Sequence, residues 1–127
     1  MLFVELVALL AVFQYFAFGA LVGRARGQYG VKAPAVSGHA MFERAYRVQM
    51  NTLELLVLLL PGLYLASKHW APGVVAAIGA VYLVGRTLYW QAYLRDPQRR
   101  GLGFILSMGP IQVLLFASLF SVIKGLL

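Results

Sequence analysis

Hydrophobic residues along the chain form four long runs that are separated by short polar connections. The runs cover residues 1–22, 55–66, 71–93 and 101–123. The second run would make only roughly 18 Å of helix, whereas the hydrocarbon core of a bilayer is about 30 Å thick. Its helix must therefore extend back through the polar residues that precede it. The pattern predicts an all-α integral membrane protein with four transmembrane helices, at about residues 1–24, 40–67, 71–94 and 101–125, in one domain of residues 1–127.

Composition agrees with a membrane protein and argues against the other broad classes. Of 127 residues, 61% are hydrophobic and 12% are charged, and a soluble domain of this size needs a more polar surface. The net charge is +7, but no nucleic-acid motif accompanies it, so we expect membrane lipid and no nucleic acid as a partner. A signal peptide is the alternative for the first run. That run begins without basic residues and contains Glu5, which argues against it.

Basic residues are unequally distributed among the connections. The first and third connections hold six Lys and Arg residues, against Lys68 in the second connection and Lys124 near the C-terminus. Cytoplasmic loops of membrane proteins carry the excess of Lys and Arg. The distribution predicts that the first and third loops are cytoplasmic and that both termini lie outside.

Polar residues inside the second and third predicted helices follow helical spacing. In helix 2 they are Arg47, Asn51 and Glu54, at positions i, i+4 and i+7. In helix 3 they are Arg86, Tyr89 and Tyr93, at positions i, i+3 and i+7. Residues at these spacings share one side of a helix. Each helix therefore has a polar stripe in the half that we expect to be cytoplasmic.

Two interpretations of these stripes remain open. Ionisable residues within a membrane normally face the bundle interior or a water-filled cavity and pair with one another. They could form structural ion pairs, for instance Glu54 with Arg86 or Glu43 with Arg47. They could instead line a cytoplasmic cavity, whose net basic lining would suit a small zwitterion with excess carboxylates.

Metal and serine chemistry have no support in the sequence. The chain has no cysteine, and its two histidines, His39 and His69, lie far apart in predicted loops. No Ser/His/Asp arrangement and no phosphate-binding glycine loop is present. We therefore expect no metal site.

Two segments resemble the MAPEG family, the membrane-associated proteins in eicosanoid and glutathione metabolism. They are "FERAYRVQMNTLE" (residues 42–54) and "VYLVGRTLYWQAYLRDPQRRG" (residues 81–101). The first is similar to the family's helix 2 signature and the second to its helix 3 signature with the arginine-containing loop that follows. The resemblance implies a homotrimer that binds glutathione between neighbouring subunits near the cytoplasmic side.

The resemblance also implies roles for individual residues. Those that would bind glutathione are Arg47, Asn51, Glu54, Arg86, Tyr89 and Tyr93, with either Arg24 or Arg26 from the end of helix 1. Arg100 would be the catalytic residue that stabilises the thiolate. The implied activity is that of a microsomal-type glutathione transferase, which conjugates glutathione as co-substrate to hydrophobic electrophiles.

Several functional alternatives remain. Leukotriene-C synthases of the family carry an aromatic residue directly after the helix 2 glutamate, whereas this chain has Leu55. This favours the broader transferase type, and an accompanying peroxidase activity stays open. A non-catalytic lipid-binding or scaffolding protein of the same fold is the main competing hypothesis. A small transporter is a weaker one, because the chain has no inverted repeat.

Overall fold

The chain folds into a bundle of four long antiparallel α-helices. The computed structural model describes residues 1–127, with α1 at Leu2–Tyr29, α2 at Ala40–His69, α3 at Pro72–Arg95 and α4 at Gly101–Leu126. A single 3₁₀ turn, Pro97–Arg99, precedes α4. All four helices are long and apolar enough to cross a membrane. The predicted all-α fold with four membrane-spanning helices is confirmed.

Two helices continue further than the sequence pattern predicts. The pattern predicts an end of helix α1 near residue 24, but the helix runs to Tyr29 and stops where Gly30 adopts a left-handed conformation with φ 70°. A residue without a Cβ takes up this conformation without strain. Helix α2 runs to His69, so only Trp70 and Ala71 connect it to α3. Arg24 and Arg26 consequently lie on a helix and not in the first loop.

The main hydrophobic core occupies one half of the bundle. It contains residues from the first half of α1, the second half of α2, the first half of α3 and the second half of α4. Its largest fully buried members include Tyr82, Leu59, Leu63, Ile111 and Leu114. In an antiparallel bundle these helix halves lie at the same end. The polar residues of α2 and α3 therefore lie toward the other end of the bundle.

Helices α3 and α4 cross in very close contact at two glycines. A Cβ atom added to Gly85 would lie 2.7 Å from the backbone nitrogen of Ser107, and one added to Gly103 would meet the backbone of Tyr89. Small residues at helix crossings let two backbones approach within a membrane. This crossing fixes the position of Tyr89 relative to the start of α4.

Arg44 attaches the beginning of α2 to the end of α3. Its Nη1 donates hydrogen bonds to the carbonyl oxygens of Leu94 at 2.9 Å and Arg95 at 3.3 Å. The last carbonyls of a helix have no partner within the helix and carry the negative end of its dipole, so a guanidinium stabilises them. This contact fixes the end of α3, from which the turn leading to Arg100 begins.

Candidate functional site

One cavity at the polar end of the bundle collects most of the residues from the two stripes. It has a volume of about 510 Å³. Its lining residues come from α2, α3 and the start of α4: Arg47, Asn51, Tyr89, Tyr93, Arg100 and Phe104. Five of these six residues were among the predicted site residues. The two stripes therefore converge, and the beginning of α4 closes the cavity on its third side.

Arg47 and Glu54 form an ion pair along α2. Arg47 Nη1 lies 3.0 Å from Glu54 Oε1, and the two side chains remain 49% and 57% exposed. The pairs considered from the sequence, Glu54 with Arg86 and Glu43 with Arg47, do not form. Glu43 instead accepts a hydrogen bond from the backbone N–H of Gly38. An exposed ion pair on a membrane-spanning helix is unfavourable against lipid, so this surface of α2 is suited to contact with polar groups.

Arg86 does not line the cavity, contrary to the sequence prediction that placed it in the stripe with Tyr89 and Tyr93. Its side chain is completely buried, with 0% exposure. Nε donates to Ser107 Oγ at 2.8 Å, and Nη1 donates to Asn51 Oδ1 at 2.7 Å and to Thr52 Oγ1 at 3.3 Å. One guanidinium thus joins α3 to both α2 and α4 from within the bundle.

The buried guanidinium also supports the cavity wall from behind. Its central carbon lies 4.1 Å from the ring centroid of Tyr89, and its hydrogen bond to Asn51 orients that amide. The rings of Tyr89 and Tyr93 stack on each other with centroids 5.5 Å apart. Arg86 is therefore a positioning residue for Asn51 and Tyr89.

Arg100 lies where the sequence predicted it, at the beginning of α4. It occupies the N-cap position directly before Gly101, and its Nη1 donates to the carbonyl oxygen of Pro97 at 2.7 Å. The positive end of the α4 dipole adds to the charge of this guanidinium. Arg100 and Arg47 make the cavity electropositive, whereas Glu54 offsets part of the charge of Arg47.

Neither Arg24 nor Arg26 reaches the cavity within one chain. Arg26 folds onto the first loop, where it donates to the carbonyl oxygen of Ala35 at 2.7 Å and lies 4.8 Å from the ring centroid of Phe42. Arg24 is exposed and borders a separate, smaller pocket beside Trp90. Arg26 therefore has a local structural role, while Arg24 does not line its own chain's cavity and is exposed enough to contact another molecule.

Sequence reasoning missed three residues of the site, namely Phe104, Thr52 and Ser107. Phe104 is one helical turn after Arg100, so its spacing could have indicated it. Ser107 and Thr52 are buried hydroxyls that accept from Arg86 while donating to the carbonyls of Gly103 and Val48. Ser107 lies four residues after Gly103, a small-residue spacing that marks helix contacts.

The remaining residues singled out in the sequence lie elsewhere. Leu55 is buried in the hydrophobic core and does not face the cavity. His39 caps the start of α2, with Nδ1 accepting from the N–H of Met41, and His69 ends the same helix. The histidines are thus at opposite ends of a 30-residue helix, about 45 Å apart.

The cavity is chemically suited to an anionic ligand with several polar groups. Guanidinium groups bind carboxylates in two-point contact and stabilise soft anions. Tyrosine hydroxyls and the Asn51 amide can donate to or accept from peptide groups. Phe104 adds an apolar surface next to these groups.

Comparison with known proteins identifies relatives of this chain. Residues 4–120 match the model of the MAPEG family. An uncharacterized protein of Synechocystis sp. is 41% identical over 123 residues, covering 97% of this chain and 90% of that protein. Microsomal glutathione S-transferase 2 of Homo sapiens is 35% identical, and the match covers 85% of this chain and 74% of that protein. Leukotriene C4 synthase of Bos taurus is 38% identical, and the match covers 74% of this chain and 63% of that protein. The chain belongs to the MAPEG family.

Proposed function

We propose that this protein is a membrane-bound glutathione transferase that conjugates the glutathione thiolate to hydrophobic electrophiles. The observation that carries the proposal is the single cavity in which Arg47, Asn51, Tyr89, Tyr93 and Arg100 meet. Two kinds of relative, microsomal glutathione S-transferase 2 and leukotriene C4 synthase, support it by their names. Glutathione has two carboxylates, one ammonium group and two peptide groups, and this inventory fits the lining.

Binding is assigned to residues of α2 and α3. Arg47 would bind a carboxylate, and Glu54, which lies beside it, would bind the ammonium group. Asn51 and the two tyrosines would serve the peptide groups, with Arg86 orienting Asn51 from behind. Arg86 contributes to binding only through these neighbours, because it is buried.

Arg100 is assigned the catalytic role of stabilising the thiolate. A free thiol has a pKa near 8.5 and is mostly protonated at neutral pH, although the thiolate is the nucleophile. Lowering the thiol pKa by about two units requires roughly 2.7 kcal/mol of preferential stabilisation of the thiolate. A guanidinium at the positive end of a helix, as Arg100 is, is a suitable source of this energy. The thiolate then forms a bond to an electrophilic carbon, and the leaving group departs with the electron pair of the bond that breaks.

The exposed ion pair supports a site shared between subunits, and we assign a homotrimer to this protein. The Arg47–Glu54 pair is about half exposed in one chain, although it lies on a membrane-spanning helix. A neighbouring subunit with bound glutathione would cover it with polar groups. Arg24 is exposed at the same end of the bundle, and is our candidate for the contact from the neighbouring subunit. We also propose that the first and third loops are cytoplasmic, and their basic residues support this orientation.

A second candidate function is a lipid-binding or scaffolding role without catalysis. The apolar Phe104 at the edge of the cavity is compatible with it. A role without catalysis does not explain why an arginine at the start of α4 faces the same cavity as Arg47. Peroxidase activity would use the same thiolate and stays within the proposed function.

The proposed function can be tested by observing the thiolate directly. The purified protein is mixed rapidly with glutathione at neutral pH, and the ultraviolet absorbance of the thiolate is recorded. We expect the thiolate absorbance to rise in proportion to the protein concentration. We also expect the protein to conjugate glutathione to an electron-poor aryl chloride with turnover. Glutathione binding without any thiolate absorbance or conjugation would favour the non-catalytic alternative, and absence of binding would contradict both the site and the function.

A further inference from the structure

A second groove lies at the same end of the bundle, on a different face of α3 and α4. Its volume is about 530 Å³. The groove is lined by the last two turns of α3, the 3₁₀ turn and the first turn of α4. The lining residues include Leu88, Gln91, Arg95, Asp96, Arg99 and Leu102. None of these residues lines the cavity that contains Arg100. The groove is therefore separate from the proposed glutathione site.

The two arginines of this groove are largely unpaired. The side chain of Arg95 makes no hydrogen bond or ion pair, because only its carbonyl oxygen is engaged, by Arg44. Arg99 is 82% exposed and its only ion-pair partner is Asp96, at 3.8 Å. Asp96 already accepts a hydrogen bond from the backbone N–H of Gln98. The groove therefore has a net positive charge with guanidinium donors available.

The groove also has apolar residues, of which Leu88 lies deeper in the membrane-spanning region than the two arginines, while Leu102 lies in the first turn of α4. Leu88 and Leu102 are 36% and 65% exposed, and Leu88 is seven residues before Arg95, which is about 10 Å along α3. An apolar wall thus leads into a basic rim at the end of the helix. Gln91 lies between them, and its side-chain amide makes no hydrogen bond within the chain. From the membrane interior toward the helix end, the groove thus presents an apolar, a polar and a basic surface. The acyl chain, glycerol ester and phosphate of a phospholipid follow one another in the same order.

We propose that this groove binds an anionic phospholipid, with the phosphodiester between Arg95 and Arg99 and an acyl chain against Leu88 and Leu102. Guanidinium groups bind phosphate oxygens through several donors at once. Basic pockets at the ends of transmembrane helices attract anionic head groups in the same way. The excess positive charge favours a lipid with a net negative head group over a zwitterionic one. The proposal does not depend on the catalytic function.

The test is lipid retention by the full chain in a neutral detergent, measured by native mass spectrometry. The probes are dioleoylphosphatidylglycerol and dioleoylphosphatidylcholine, which differ in head-group charge and share their acyl chains. We expect phosphatidylglycerol to be retained preferentially, at one molecule per chain. Arg95→Gln and Arg99→Gln should each weaken its retention about fivefold, the equivalent of roughly 1 kcal/mol per basic residue at an anionic membrane. Both side chains are exposed, so neither variant threatens folding.

Lys32→Gln is the matched control, because it removes one positive charge from an exposed loop position at the same end of the bundle. Its lipid retention should equal that of the parent protein. Equal retention of the two lipids, or an equal loss in Lys32→Gln, would overturn the proposal. Displacement of the lipid by excess inorganic phosphate would show a site for the free ion and also overturn it. If the arginine variants change the oligomer mass and not lipid retention, a second copy of the chain covers the groove and the proposal is wrong.

Discussion

Replacing Arg86 by methionine should weaken glutathione binding while the protein still folds. In the parent, the buried guanidinium makes two short hydrogen bonds, to Asn51 and Ser107, and one longer bond to Thr52. Hydrogen bonds between membrane helices contribute about 0.6 kcal/mol on average and at most about 1.7. Three such bonds therefore contribute about 2 kcal/mol on average and at most about 5 kcal/mol. Arg86 Nη2, however, is buried without a partner, which offsets part of this gain.

Methionine removes the buried charge together with its bonds. Ser107 and Thr52 keep the bonds that their hydroxyls donate to backbone carbonyls, and the released Asn51 faces the cavity, where water can solvate it. Replacing a buried charge by a well-packed apolar side chain is often close to neutral. We expect the free energy of unfolding to fall by no more than about 2 kcal/mol. Because Asn51 and Tyr89 lose their support, glutathione affinity should fall about tenfold, or roughly 1.4 kcal/mol.

Arg86→Lys is the matched comparison and should be the less stable variant. Lysine retains the buried charge but is a compact point donor that cannot reach Asn51 and Ser107 together. Leaving a buried charge poorly paired costs about 3 kcal/mol or more. The measurements are reversible unfolding in mixed micelles and calorimetric titration with glutathione. A lysine variant more stable than the methionine variant, or a folded methionine variant with parental glutathione affinity, would refute this account of Arg86.

Three further outcomes are expected. Arg100→Ala should move the rate–pH profile of conjugation to higher pH by about two units, so that alkaline pH partly restores the rate. Arg99→Ala should leave the profile unchanged. A shift that appears only in Arg99→Ala would mean that Arg99, and not Arg100, stabilises the thiolate. Glu54→Gln should weaken glutathione binding about tenfold while the protein still inserts, and unchanged calorimetric affinity would contradict the assignment of its carboxylate. Gly85→Ala should lower the free energy of unfolding by about 1 to 3 kcal/mol through overpacking, whereas Gly73→Ala, which has open space around it, should not.

Helical spacing predicted much of the cavity because its residues repeat on two neighbouring helices. Arg47 and Asn51 converge with Tyr89 and Tyr93, as the four-residue spacing within each pair indicated. The same spacing wrongly included Arg86. A stripe specifies a side of the helix, but not which of its members face an opening and which face the bundle interior.

Features formed by single residues could not be predicted in this way. Ser107 is one of three serines in α4, and only the packing of α4 against Arg86 distinguishes it from the other two. The extent of α1 depended on Gly30, one of several glycines in the same stretch. The roles of Arg24 and Arg26 depended on whether α1 continues past them. Within a helix, successive side chains differ in direction by about 100°, so the two arginines lie on different faces of α1.

The glycine crossing of α3 and α4 determines which parts of the cavity can move independently. Because the backbones are in direct contact at Gly85 and Gly103, we expect these two helices to move as one rigid body. Tyr89, Tyr93 and Arg100 then belong to a single unit, and we expect their mutual spacing to change little when a ligand enters. Helix α2 is attached to this unit by side chains, at Arg44 and Arg86. We therefore expect any widening of the cavity to come from displacement of α2 about the contacts that Arg44 and Arg86 make.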